Sequence, residues 1–282
     1  MNKTIRRLFV ILLLMFSFYY TNRIIDFLKE QDPIMKEIKK TKDKYKIKSV
    51  NAKIIDNNMI PGKDGKNIDY KKSYNKMKHY GMYNESLTVL KEVKPEISID
   101  DNYDKYIISG NEDSRSVSLV FVVKKEDNID KILKILEKEK VSGNFFIDGT
   151  YLENNVLKLK SMENHEIEIL SYDNSYNKSL FETSISYLEN IVNDDVKYCY
   201  SEKDNNKLID LCKKNKLHTI KPTLIIKKNL YMQVKQNLSN GIIVSIDINN
   251  YNEKELIPTI DYIIEKGYKI VKLNELLSEK DM

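Results

Sequence analysis

Apolar runs alternate with amphipathic stretches through the second half of the chain. The run SVSLVFVV is typical of a buried β-strand, and NIDKILKILEKEK places Ile129, Ile132 and Leu136 at helical spacing. Six further strand-like runs alternate with further amphipathic stretches as far as Leu277. This alternation predicts an α/β fold with a parallel sheet. Because no glycine-rich phosphate loop is present, a β/α barrel of about seven strands is favoured over a nucleotide-binding fold.

The first thirty residues carry a different pattern. Lys3, Arg6 and Arg7 precede an apolar run from Leu8 to Tyr20, a layout typical of a secretory signal or signal anchor. No small-residue cleavage site and no lipobox cysteine follow it, which favours an uncleaved anchor over a removed peptide. The alternative is a buried N-terminal helix. The basic flank predicts a single-pass protein of the cell membrane, with a cytoplasmic N-terminus and an extracytoplasmic main domain.

Composition and turn signals divide the chain into four predicted segments. A highly charged stretch follows the apolar run, and turn chemistry at Pro61-Gly62 and Asp64-Gly65 marks the region after it. The candidate roles of that region are a spacer, a dimer contact or a lid. The predicted segments are a signal anchor at 1–30, a charged stalk at 31–48, a small α+β module at 49–112 and an α/β domain at 113–282.

Charge and cysteine content narrow the functional classes. The 282 residues include 47 basic and 42 acidic side chains, a mixed surface with a net charge of +5. Nucleic-acid binding calls for a concentrated basic patch, and the lysines here are scattered, so no nucleic-acid partner is expected. The two cysteines, Cys199 and Cys212, fit an exported protein with at most one disulfide. Two unpaired small apolar residues are an equally good interpretation.

Several stretches resemble a known family. The segment VSLVFVVKKEDNIDKILKILEKEKVSGNFFIDGTYLENN, the strand NHEIEILSY and the ending TIDYIIEKGYKIVKLNELL resemble the polysaccharide deacetylase (NodB-homology) domain, carbohydrate esterase family 4. The resemblance covers 116–277 and implies a distorted seven-stranded β/α barrel. It also implies metal-dependent N-deacetylation of a polysaccharide. In that chemistry a divalent metal, commonly zinc, sits on one Asp and two His, while a second Asp is the general base and a His the general acid.

The residues at the family's catalytic positions do not match these roles. The family motif that aligns with Cys199 to Lys203 is also lost, whereas Asp247 keeps its family identity. Aliphatic side chains offer no lone pair to a metal, so no metal and no other cofactor is expected. The base position holds Val122, the metal positions hold Val123, Leu170 and Asn174, and the acid position holds Ile246.

Three functional hypotheses follow. The first is a membrane-anchored, catalytically inactive pseudoenzyme that binds cell-wall glycan or a wall-assembly protein. The second is a hydrolase of N-acetyl sugars with a rearranged site around Asp173 and Asp247, the only hypothesis that needs zinc or another divalent metal. The third is a purely structural interaction protein whose cleft is filled by Val122, Val123 and Leu170. The candidate ligand-binding residues are Asp173, Asn174, Tyr200 and Asp247.

Two other clusters compete as metal or cation sites. His165, Glu166 and Glu168 are adjacent, but strand alternation places the two glutamates on one face and His165 on the other. A solvated or helix-packed glutamate pair is therefore favoured. Asp148 lies at a predicted strand end, as do Asp173 and Asp247, and the three form either an acidic site or ordinary turn and cap residues.

Tyrosines are concentrated in the same region. Their rings can stack on sugars while their hydroxyls form hydrogen bonds, although 19 tyrosines in one chain make chance clustering a serious competitor. The tyrosines concerned are Tyr172, Tyr176, Tyr198 and Tyr200.

Overall fold

The computed structural model describes residues 3–173, 175–249 and 252–280. The chain forms two compact units, which are described separately. The first unit comprises Met1–Ser49 and Asp64–Val93, and the second comprises Val50–Lys63 and Lys94–Met282. The predicted 49–112 module is thus divided between the two units.

Twelve α-helices occur in the described residues. Five of them begin at a side-chain cap, as Asn177 and Asn205 show by accepting hydrogen bonds from backbone N–H groups. In chain order the helices are α1 Lys3–Gln31, α2 Pro33–Lys40, α3 Lys42–Tyr45, α4 Tyr70–His79, α5 Asp130–Glu139, α6 Gly149–Asn154, α7 Val156–Lys160, α8 Lys178–Val192, α9 Asn206–Lys214, α10 Leu230–Asn237, α11 Leu256–Glu265 and α12 Leu273–Leu276.

Thirteen strands complete the described elements, with short 3-10 turns at Glu85–Leu87, Ile99–Asp101 and Glu253–Glu255. In chain order the strands are β1 Lys53–Ile55, β2 Asn58–Ile60, β3 Gly65–Ile68, β4 Leu90–Val93, β5 Tyr106–Ile107, β6 Ser116–Val123, β7 Asn144–Ile147, β8 Glu166–Ile169, β9 Tyr198–Tyr200, β10 His218–Ile220, β11 Leu224–Ile226, β12 Ile243–Asp247 and β13 Lys269–Ile270.

The first unit begins with the apolar helix α1. Arg6–Gln31 of this helix is the one stretch among the described residues that is long and apolar enough to cross a membrane, a property that signal sequences share. Asp32 follows directly and accepts a hydrogen bond from the Ile34 N–H (2.9 Å), which starts α2. Helices α2 and α4 and the antiparallel pair β3–β4 enclose a small core that includes Ile38, Ile68 and Met77.

The second unit confirms the predicted α/β fold. One sheet has the order β11-β12-β6-β7-β8 with β13 also pairing to β6, and all of its pairs are parallel. The other has the order β1-β2-β5-β10-β9, in which only β1–β2 is antiparallel. The predicted seven-stranded barrel is not confirmed. The described strands form two sheets, and no closed barrel is detected among them.

A disulfide joins Cys199 of β9 to Cys212 of α9. Of the two interpretations that the sequence left open, the structure therefore shows the bonded pair, and both cysteines are fully buried. The bridge closes a loop with a sequence separation of 13 residues. A loop of that size restricts the unfolded chain enough to contribute about 3 kcal/mol to stability.

Buried polar side chains line the amino-terminal end of the second unit's inner sheet face. The Asn144 side chain donates to the Leu119 carbonyl (2.9 Å) and accepts from the Leu273 N–H (2.7 Å). The Ser118 hydroxyl donates to the Val271 carbonyl (2.8 Å). Because these bonds reach the backbone of Val271 and Leu273, they attach the segment that follows β13 to the sheet, beyond the short β6–β13 ladder.

Glu168 connects the two sheets. Its Oε2 accepts hydrogen bonds from the Lys197 and Tyr198 N–H groups, each at 2.9 Å, so a carboxyl group joins β8 to β9 where no ladder does. Glu166, two residues earlier on the same face, accepts from the Asn274 N–H (3.0 Å). Both glutamates are buried, whereas the sequence favoured a solvated or helix-packed pair.

The environment of this glutamate pair disfavours its ionised form. Burial raises the pKa of Glu168 well above its usual value, and the charge of Glu166 raises it further. Burial also raises the pKa of Glu166, against the opposing effects of the Asn274 N–H and of Lys197 and Lys272. Because burial and the mutual charge both disfavour two ionised carboxylates, the pair keeps a proton to higher pH than a free glutamate does.

We predict that this proton makes stability depend on pH. The folded pKa values exceed the unfolded value of about 4.5, so the folded state binds more protons and loses stability as pH rises from about 4.5 through the folded values, by up to about 1.4 kcal/mol per pH unit. Glu168→Gln keeps an acceptor for the Lys197 and Tyr198 N–H groups and donates to Glu166. In denaturant unfolding between pH 5 and 9, its stability relative to wild type should therefore rise with pH.

The matched control is Glu163→Gln, the same substitution at an exposed residue near β8. Its stability difference from wild type should change little over the same pH range. An equal pH trend in the two variants would contradict the raised pKa values of the pair.

Candidate functional site

A cleft of about 190 Å³ opens at the carboxyl ends of β6, β8 and β9. Side chains at this end of a parallel sheet form the site in α/β proteins. The cleft has an apolar floor and a polar rim with two lysines and one glutamate. It is lined by Val122, Lys124, Leu170, Ser171, Tyr176, Tyr200, Ser201, Glu202, Lys203 and Asn205.

The floor of the cleft is closed by inner-face side chains. Val122 is half-buried, and Leu170 and Tyr200 are buried in one cluster with Phe146. The Tyr200 ring lies 5.3 Å from that of Phe146, and its hydroxyl forms a 2.7 Å hydrogen bond with the Ser245 hydroxyl. Burial raises the pKa of Tyr200, so its phenol stays neutral. The floor is therefore uncharged.

Val123 and Ile246 lie elsewhere, contrary to the expectation that they stand at or near the cleft. Both are fully buried in the large core that the helices cover, together with Phe121 and Val244. The reason is strand alternation, because neighbours in a strand point to opposite faces. Of the aliphatic residues at family positions in the described chain, Val122 and Leu170 line the cleft.

Asp247 stands beside Val122 on the neighbouring strand. The two are register partners in the β6–β12 pair, and the charge of Asp247 contributes to the raised pKa of Tyr200. One carboxylate oxygen of Asp247 accepts a hydrogen bond from the Asn249 N–H (3.0 Å), which shapes the turn after β12. The side chain does not line the cleft, although it is adjacent to it.

Asp148 organises the loop that follows β8. It is 2% exposed, and its Oδ1 accepts from the Thr150 N–H (3.0 Å), the Thr150 hydroxyl (2.6 Å) and the Asp173 N–H (3.0 Å). Its Oδ2 accepts from the Ser171 hydroxyl (2.6 Å). Asp148 thus caps α6 and fixes 171–173, with Asp173 in the left-handed region at φ +48°. Asp148 therefore acts as a helix cap and does not belong to a converging acidic site. Asn174 lies outside the described residues.

The tyrosines named from the sequence separate into two groups. Tyr176 and Tyr200 line the cleft. Tyr172 is turned to Glu153, to which its hydroxyl donates (3.0 Å), and Tyr198 is buried near His218. Sequence reasoning missed the rim residues Ser201 to Lys203, which it treated as a lost motif. Their position directly after a strand end was the signal that pointed to them.

The described residues do not fit a divalent metal. No group of three His, Cys, Asp or Glu side chains in the described parts of the chain could hold one. In the rival cluster, His165 Nδ1 accepts from the Gly143 N–H (3.1 Å). At the cleft, Val122 and Leu170 have no donor atoms, and zinc requires nitrogen, sulfur or oxygen ligands.

Comparison with solved structures identifies the architecture. The wild-type BA3943 protein of Bacillus anthracis, a CE4 family pseudoenzyme, superposes with a TM-score of 0.65 at 23% identity, covering 89% of this chain and 97% of that one. The Bacillus subtilis carbohydrate esterase PdaA superposes with a TM-score of 0.54 at 17% identity, covering 63% and 86% of the two chains. The chain has the family 4 carbohydrate esterase fold. The resemblance seen in the sequence is confirmed at this level.

Two further comparisons show how much of the chain shares this similarity. A BA3943 mutant with restored enzymatic activity has a TM-score of 0.64 to this chain at 23% identity, covering 89% and 100% of the two chains. The uncharacterized protein YlxY of Bacillus subtilis is 26% identical over 273 residues, covering 88% of this chain and 85% of YlxY. No protein-family model matches the sequence. The likeness to the pseudoenzyme and to YlxY therefore extends well beyond the 116–277 segment.

We predict that aspartate substitutions at Val122 and Val123, two adjacent residues of this esterase fold, differ in their effect on stability. Val123→Asp places a carboxylate in a fully buried apolar core and should destabilise the protein by about 3 kcal/mol or more. Val122→Asp, at the half-buried cleft floor, should cost about 1 kcal/mol. Neither variant should deacetylate an N-acetylated sugar oligomer, because Leu170 still offers no metal ligand.

Denaturant unfolding and an acetate-release assay measure the two effects. Each valine serves as the positional control for the other. Equal destabilisation by both substitutions would contradict the assigned faces, and zinc-dependent turnover by Val122→Asp would contradict the assigned loss of the metal site.

Proposed function

We propose that the protein is a membrane-anchored, extracytoplasmic pseudoenzyme that binds cell-wall glycan on a deacetylase scaffold. The observation that carries the proposal is the uncharged cleft floor of Val122, Leu170 and Tyr200 at the position where the resembling family holds its metal. A floor without metal ligands or an ionised base cannot activate water for hydrolysis. The open cleft above it can still admit a ligand.

The structural neighbours support a non-catalytic role. BA3943 is a pseudoenzyme, and this chain matches it over 89% of its own length, against 63% for the esterase PdaA. The BA3943 mutant with restored activity indicates that, in that protein, a scaffold persisted after its chemistry was lost. We infer the same separation of scaffold and chemistry here.

The cleft chemistry favours a carbohydrate ligand. Tyr176 is 38% exposed and offers an aromatic face of the kind that stacks on pyranose rings. Ser171, Glu202 and Asn205 supply hydrogen-bonding groups around it, as sugar hydroxyls require. The apolar floor suits the methyl of an acetamido group, so we assign the ligand class as N-acetylated wall glycan, with a wall-assembly protein as the alternative partner.

The finer architecture is also part of the proposal. We infer that the two sheets of the second unit correspond to one distorted, open β/α barrel of the deacetylase type. The Glu168 hydrogen bonds to the Lys197 and Tyr198 N–H groups support this interpretation, since they bridge the edges of the two sheets.

We predict that the purified full-length chain in detergent binds N-acetylglucosamine oligomers without releasing acetate and without bound zinc. Tyr176→Ala should weaken binding about tenfold, because it removes the stacking surface. Tyr187→Ala is the matched control, since Tyr187 is similarly exposed (42%) but lies on α8 outside the cleft. Calorimetry, acetate release and metal analysis provide the readouts.

Chelator-sensitive acetate release with stoichiometric metal would establish instead a hydrolase with a rearranged site near Asp173 and Asp247. Absence of oligomer binding, with both tyrosine variants equal to wild type, would favour the purely structural role.

We predict an orientation with the N-terminus in the cytoplasm. Arg6 and Arg7 precede the apolar part of α1, and basic residues are retained on the cytoplasmic side. Protease added to cells stripped of their wall should therefore digest the second unit while a cytoplasmic marker protein stays intact. Protection of the second unit under these conditions would contradict this orientation.

A further inference from the structure

Charge is unevenly divided between the two units. Beyond α1, the first unit (32–49 and 64–93) contains thirteen lysines and seven acidic residues. The second unit (50–63 and 94–282) contains 29 basic and 33 acidic residues. The basic excess of the folded part therefore belongs to the unit that follows the apolar helix directly.

Part of this basic charge is neutralised within the first unit. Five of its lysines form ion pairs with carboxylates of the same unit. These pairs are Lys39–Glu30, Lys40–Glu37, Lys44–Glu85, Lys72–Asp69 and Lys78–Asp32.

Two lysines without such a partner lie along one groove. The groove measures about 280 Å³ and has no carboxylate in its lining, which consists of Lys46, Ile47, Lys48, Ser49, Lys66, Asn67 and Val93. Reciprocal 2.9 Å hydrogen bonds between the Ile47 and Lys66 backbones hold the two segments side by side. Lys46 and Lys48 are exposed and form no ion pair with any described carboxylate. The groove therefore presents the positive charge of Lys46 and Lys48 together with hydroxyl and amide hydrogen-bonding groups, beside the apolar side chains of Ile47 and Val93.

The chain connection keeps this groove close to the end of α1. The residues between Gln31 and Lys46 include the helices α2 and α3, which rise about 1.5 Å per residue, so the groove lies within about 30 Å of the end of the apolar helix. Within the first unit, α2 begins one residue beyond α1, because Asp32 caps it. A tether this short gives the lysines a high effective concentration at the surface of any membrane that α1 crosses.

We propose that the groove formed by Lys46, Lys48 and Lys66 is a docking surface for the phosphate headgroups of anionic phospholipids. This inference rests on the proposed anchoring by α1. Each lysine close to an anionic bilayer gains electrostatic attraction that decays within about 10 Å, the Debye length at 0.1 M salt. Docking would hold the first unit against the bilayer that carries the anchor.

The test uses the full chain in nanodiscs of phosphatidylcholine, with or without phosphatidylglycerol. Both native cysteines are joined in the disulfide, so Ser49→Cys introduces a single thiol for a small fluorophore at the groove. Nitroxide-headgroup lipid then quenches the label where the groove contacts the surface. Quenching should be at least twofold greater with phosphatidylglycerol and should fall to the neutral-lipid level in 1 M salt.

Charge variants identify the groove as the source. Lys46→Gln combined with Lys48→Gln should remove the phosphatidylglycerol-dependent quenching, and both residues are exposed, so the unfolding midpoint should stay unchanged. The matched control, Lys213→Gln combined with Lys214→Gln, removes two exposed charges from α9 in the second unit and should retain the effect.

Three results would overturn the proposal. Equal quenching in neutral and anionic nanodiscs, in a stably incorporated chain, contradicts docking while leaving the anchor intact. Displacement of the label from anionic nanodiscs by soluble polyglycerol phosphate at constant ionic strength assigns the groove to a wall polymer instead. Failure of the chain to incorporate into nanodiscs contradicts both the anchor and the docking.

Discussion

The buried carboxyl pair of Glu166 and Glu168 is the interaction on which the second unit depends. Two parallel sheet edges meet at β8 and β9 without a ladder, and Glu168 supplies the acceptor that the Lys197 and Tyr198 N–H groups would otherwise lack. A buried donor without a partner is costly, and so is an unpaired buried charge. The raised pKa values of the pair favour protonation, which reduces the charge while leaving the acceptor oxygen in place.

The fold was predictable from the sequence because its signal is local and repeated. Strand runs such as Ser116–Val123 and amphipathic helices such as Asp130–Glu139 have their own periodicity, and their alternation predicts a parallel sheet. The sheet junction was not predictable. Glu168 bonds a residue 30 positions away and Glu166 one 108 positions away, and nothing in their local sequence distinguishes them from surface glutamates.

The sequence predicted the types of the residues at the family positions better than it predicted where their side chains lie. Matching the chain to a family motif places Val122 and Val123 side by side, but strand geometry sends one to the cleft and the other into the helix-covered core. Asp148 illustrates the same limit. Its four hydrogen bonds with Thr150, Ser171 and Asp173 depend on two strand ends that meet only in the folded sheet.

The polar interactions that attach the C-terminal segment and the cleft lie at opposite ends of the sheet. Ser118, Asn144 and Glu166 attach the C-terminal segment at the amino-terminal end. The cleft floor, by contrast, is held by apolar packing and one Tyr200–Ser245 hydrogen bond. Clustered, unpaired carboxylates in a cleft repel one another, so aliphatic residues there relieve a cost that a metal would otherwise have to offset. Aliphatic side chains at this end are therefore compatible with an intact scaffold.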